Sequence, residues 1–130
     1  MFDWIELKEI GDLLSSNSNE SYIRSSINRY YYSIFCATRD YLIHSKKEHN
    51  FEKRKNIHKQ VCKRMLYSRN NNEIDIGLSL KFLRKMRNHA DYDSEKEYYD
   101  YFLKNMPKIK EKTENATESL NYLKRCNNEN

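Results

Sequence analysis

The chain has 130 residues, 38% hydrophobic and 33% charged, with a formal net charge of +5, which fits one domain around a single modest core. Two glycines and one proline are too few for the turns of a β-sandwich or a doubly wound sheet, so an all-α fold is expected. Gly11 and Gly77 are the only glycines, so no phosphate-cradling glycine loop exists, and P-loop and dinucleotide-binding chemistry is excluded.

An amphipathic helix is expected over Asp3–Leu14, with Ile5, Ile10, Leu13 and Leu14 turned inward. The polar run SSNSNE breaks it, and Ser18 or Asn19 suits the N-cap of a second helix, Glu20–His44. There Ile23, Ile27, Tyr31, Ile34, Phe35, Thr38, Tyr41 and Leu42 recur at helical spacing. A third helix, Lys53–Tyr67, carries Ile57, Val61, Met65 and Leu66, and the turn SRNNN separates it from a fourth, Glu73–Tyr92. Ser94 and Glu97 have capping-box spacing, so a fifth helix starts there, and Pro107 suits the first turn of a sixth segment ending near Arg125. The expectation is therefore one bundle of about five to six helices over residues 1–126, with a frayed tail at 127–130.

Cys36, Cys62 and Cys126 are odd in number and lie far apart, with no CxxC and no zinc spacing, which points to reduced thiols in a cytoplasm and to no metal or cofactor. The opening MFDWIELKEIGDLL has neither the apolar run of a membrane span nor the pattern of a signal peptide. Charge is unevenly placed. Met1–Ser21 has one Lys against five acids, whereas His44–Arg64 has eight Lys/Arg against two Glu. A basic block of this kind is either a solvated face or a phosphate-binding surface, in which case Lys53, Arg54 and Lys55 extend the binding groove.

Polar groups concentrate in LRKMRNHADYD, Leu83–Asp93. At about 100° per residue, Ile76, Leu80, Leu83, Met86 and Ala90 form an apolar arc bordered by Phe82, while Arg84, Arg87, Asn88 and Asp91 form a polar face. Arg87 and Asp91 make an i,i+4 ion pair worth about 0.3–0.5 kcal/mol if exposed. His89 lies about 140° around the helix from Arg84, at the edge of the apolar arc. A histidine so placed serves either packing or chemistry. On one straight helix it does not converge with the arginines, but two copies of the helix end meeting in a symmetric dimer would bring them together.

Arg24–Leu42, RSSINRYYYSIFCATRDYL, resembles the long second helix of the HEPN superfamily, and LRKMRNHADYD resembles its signature at the end of a later helix. NIHKQV, Asn56–Val61, is similar to that family as well. The resemblance implies a small, dimeric α-helical bundle. Its active members are metal-independent ribonucleases, often toxins or antiviral effectors, with an Arg followed after four to six residues by a His. His would take the proton of a ribose 2′-OH and Arg would hold the scissile phosphate, giving a 2′,3′-cyclic phosphate. Arg84 and His89 have that spacing, whereas Arg87-Asn88 has the usual Arg-polar pair. The expected roles are Arg87 for the phosphate, Arg84 for support and His89 as base, acting within one chain or from the other subunit. Asn88, Asp91 and Tyr92 would shape the binding site.

RNHADY also resembles a HEPN branch ending in Ala-Asp-Tyr, in which the catalytic His is often missing. The alternative is thus a non-catalytic module that binds RNA or a nucleotide, or that partners a small nucleotidyltransferase or an antitoxin, with Tyr92 as the nearest modifiable tyrosine. Among eleven tyrosines, Tyr31 fits the buried stripe. Tyr30 and Tyr32 flank it and suit core packing, a dimer interface or base stacking. His44, His49 and His58 have no ligand spacing, and His58 is read as a helix-face residue.

Overall fold

Gly11 decides how the first helix sits. In a computed structural model that describes residues 1–51 and 55–128, α1 (Glu6–Ser15) rests on α2 (Glu20–Asp40) through this glycine. A Cβ there would stand 2.8 Å from the Tyr30 ring. Tyr30 is wholly buried and donates to Asp12 Oδ1 at 2.6 Å. That contact fixes which face of α1 turns inward. Trp4, Ile5, Leu7 and Leu14 are half-buried beside Gly11, whereas Ile10 and Leu13, expected inside, are 43% and 71% exposed. Tyr30 is likewise core rather than spare surface for a dimer or a base.

α2 is the spine of the bundle, with α1, α4 and α5 packed around it. All eight residues expected inward over Glu20–His44 are buried, Tyr41 and Leu42 among them just past the end of α2. Asn19 caps it, accepting from the Ser21 N–H at 2.9 Å. The regular helix stops at Asp40, short of His44, and continues as a π-helical turn, Tyr41–Ser45, followed by a short 3₁₀ turn, His49–Phe51. α3 (Ile57–Leu66) is shorter than expected and follows Asn56 in the left-handed conformation, φ 57°. The expected start at Lys53 lies outside the described residues. α4 (Asn71–Tyr92) begins two residues early because Asn70 accepts from the Asn72 and Glu73 N–H groups. Its apolar arc Ile76, Leu80, Leu83, Met86 and Ala90 is buried.

The expected sixth segment does not exist. α5 runs unbroken over Glu97–Asn128 with Pro107 inside it, and it is helical through two residues of the tail expected to fray. Phe102, Met106, Ile109, Thr113, Ala116, Leu120 and Leu123 are buried along it. They alternate by four and three, one seam that continues through the proline. Among the described residues the architecture is an all-helical bundle of five α-helices, and no helix is long and apolar enough to cross a membrane.

Candidate functional site

The C-terminal turns of α4 are pinned by α2. Arg24 donates to the carbonyls of His89 and Ala90 at 3.3 and 2.9 Å, satisfying helix-end acceptors. Asn28, also on α2, reaches Asp91 Oδ2 at 3.2 Å. The polar residues of the motif are thereby held on a fixed frame and diverge from it in two directions.

One direction is toward α5 and the outer side of α3. His89 Nδ1 lies 2.6 Å from Asp93 Oδ2, and its ring stacks on Tyr98 at 4.9 Å. Asp93 is the C-cap of α4 in an extended conformation, and that bend turns its carboxylate back to the residue four positions earlier. With Nδ1 engaged, Nε2 is the ring nitrogen left for other work. His89 then lines an open groove of about 350 Å³ with Cys62, Lys81, Arg84, Lys85 and Asn88. This groove brings Arg84, Asn88 and His89 together within one chain. Burial holds the Cys62 thiol above its ordinary value, so it is no ready nucleophile.

The other direction is toward α2. The Arg87 side chain, only 11% exposed, pairs with Asp91 at 3.3 Å. Its guanidinium lies 5.3 Å from the Tyr31 ring centre and 5.5 Å from that of Tyr32. Arg87 and His89 therefore face different sides of α4. Tyr92 stands outside both groups, 75% exposed at the helix end. Lys55 is exposed in the turn before α3. Lys53 and Arg54, expected to extend the groove, lie outside the described residues.

Two site residues were not legible as such. Asp93 carries a signal in hindsight, since it lies four positions after His89, one helical turn on. His58, read as a plain helix-face residue, is half-buried; its Nδ1 is 2.6 Å from the Tyr31 hydroxyl and its ring stacks on Phe35 at 4.1 Å. Spacing in the sequence gives no hint of this, because its partners come from α2. Among the described residues no group of three His, Cys, Asp or Glu is placed to hold a metal ion. No family model, no curated protein and no solved structure matches the chain.

Proposed function

We propose that the chain is a HEPN-type, metal-independent endoribonuclease of the toxin or antiviral kind, cleaving RNA in the groove lined by Arg84 and His89. One observation carries the reading: His89 is oriented by Asp93 at 2.6 Å while its ring shares an open groove with Arg84, Lys85 and Asn88. A histidine held through one nitrogen by a carboxylate presents the other as a base of fixed tautomer. His89 Nε2 takes the proton of a ribose 2′-OH. The 2′-oxygen attacks the adjacent phosphorus, the bond to the 5′-oxygen breaks, and that oxygen is protonated from solvent. Arg84 steadies the phosphate as negative charge grows on its oxygens, and Asn88 adds a hydrogen bond. Arg84 takes the phosphate role here, because it lines the groove with His89 whereas Arg87 is turned to Tyr31 and Tyr32 on another side of α4.

The test is end-labelled RNA incubated with pure protein in EDTA. The expected result is cleavage leaving 2′,3′-cyclic phosphate ends, slowed about 10²–10⁴-fold by His89→Ala and less by Asp93→Asn. Full activity in His89→Ala sinks the assignment. A second reading, a non-catalytic module modified by a nucleotidyltransferase, is favoured by one observation, the 75% exposure of Tyr92 beside Asp91. It predicts no cleavage at all and a modified Tyr92 hydroxyl when such an enzyme is co-expressed.

A further inference from the structure

Around the corner of α4 from His89, three helices enclose a second cluster. α3 supplies His58, whose ring stacks on Phe35 at 4.1 Å and on Tyr31 at 5.6 Å, and is edged by Tyr32 at 5.8 Å. Three guanidinium groups surround these rings. Arg87 lies over Tyr31 and Tyr32, and Arg39 lies 5.9 Å from the centre of Phe35. Arg84 stands three residues before Arg87 on α4, about 60° around the helix from it. Among the described residues, Arg84 Nε and Arg87 Nε are buried without a hydrogen-bond partner. Buried unmatched donors are rare, and charged ones cost the most. Asp91 pairs with Arg87 and also accepts from Asn28.

We propose that Arg39, Arg84, Arg87 and His58 form a binding site for a phosphate group, adjoining the His89 groove and standing whether or not cleavage occurs there. The half-buried Tyr32 ring offers the nucleoside attached to that phosphate a stacking face. Guanidinium groups recognise phosphate through paired N–H donors, and the two orphaned Nε–H groups are donors of that kind.

His58 is the reporter of the site. Burial first, then the charges of Arg87, Arg84 and Arg39, push its pKa down to about 4, so the ring is neutral near pH 7. Burial keeps the Tyr31 phenol protonated. The short bond between them fits Tyr31 Oη–H donating to Nδ1, with the ring proton on Nε2. The groups facing the ring are Tyr31, Tyr32, Phe35 and Arg39 from α2, and Arg84 and Arg87 from α4. Every charged member of that set is a cation. A bound phosphate offsets them, and the His58 pKa then rises by about 1–3 pH units.

The experiment follows the imidazole resonances of the whole protein by NMR across a pH series. One arm adds millimolar inorganic phosphate. The other adds a single-stranded oligodeoxynucleotide, which lacks a 2′-hydroxyl and so cannot be cleaved by the route above. Sodium chloride of equal ionic strength is the control. Saturable movement of His58 and a raised His58 pKa are expected, with affinity falling roughly tenfold or more in Arg39→Gln. Movement with the oligonucleotide at lower concentration assigns the site to a nucleic-acid chain. Movement with phosphate alone assigns it to a free or terminal phosphate. A His58 signal unmoved by both, or unchanged binding by a folded Arg39→Gln, overturns the proposal.

Discussion

Glu73 shows how much one side chain organises. It accepts from the Tyr41 hydroxyl at 2.5 Å, the Ser68 hydroxyl at 2.6 Å and Arg64 Nη1 at 2.9 Å. It so ties the π-helical turn, α3 and the start of α4 together. Arg64 in turn grips Glu48 through two bonds of 2.8 Å. Burial would raise the pKa of Glu73, but hydrogen bonds from Ser68, Tyr41 and Arg64 outweigh it and hold the value below the ordinary 4.5. A depressed carboxylate binds fewer protons folded than unfolded. Its stabilising share is therefore complete above the ordinary value and is lost as pH falls through the folded one. Glu73→Gln should cost about 1–3 kcal/mol at neutral pH, since one of the two acceptor oxygens becomes an NH2 donor and Arg64 loses its buried counter-charge. It should also flatten the loss of stability on going to about pH 4. Urea midpoints of both proteins at the two pH values check this, and parallel pH curves would contradict it.

At the scale of elements, α2 and α4 were legible because their stripes are made of large apolar residues at helical spacing. Ile23 through Leu42 and Ile76 through Ala90 are buried as the pattern implies. The face of α1 was misread for a local reason. Its helix offers apolar residues on two sides, and the smaller, glycine-bearing side wins because only it admits the Tyr30 ring. α5 was divided in two because Pro107 resembles a helix start. The seam that carries the helix across it contains Thr113 and Ala116, which hide a heptad from a reading of hydrophobicity. Thr113 also spends its hydroxyl on the Ile109 carbonyl at 2.8 Å, so it sits in the core without an unmatched donor. Of the site, the residue types at the end of α4 were plain in sequence. Their division into two faces was not, since α2 and the bend at Asp93 decide it. Pro107 is exposed and lacks the N–H that a helix interior uses. Pro107→Ala should raise the unfolding free energy by about 1–3 kcal/mol, read as a higher thermal midpoint. A lower midpoint would mean that the seam depends on the proline's bend.

At the scale of the whole molecule, charge is divided between elements. α1 carries Glu6, Glu9 and Asp12, while the groove and its neighbour carry Lys81, Arg84, Lys85, Arg87 and Arg39. Under the ribonuclease reading we propose, an RNA chain approaching this field would meet the α2–α3–α4 side first. The same side is where we expect a second copy of the chain, with Tyr92, Asp91 and the exposed edge of α2 near a two-fold axis. Light scattering at micromolar concentration should give twice the 15.9 kDa of the chain. Tyr92→Arg should reduce the mass to that of one chain, whereas Leu13→Glu on the exposed face of α1 should leave it doubled. The reverse result would place the interface on α1. Because Arg84 and His89 line one groove of one chain, co-expressing Arg84→Ala with His89→Ala leaves no intact groove in a mixed dimer and should restore no cleavage. Pairing Arg87→Ala with His89→Ala asks the opposite question. Arg87 faces away from His89 and leans on Tyr31 and Tyr32 of its own α2, so the Arg87→Ala chain keeps an intact Arg84 and His89 groove, and both Arg87→Ala alone and this pairing should still cleave. Loss of cleavage in Arg87→Ala alone, recovered in this pairing, would show that Arg87 reaches the partner's groove, and would move the phosphate role from Arg84 to Arg87.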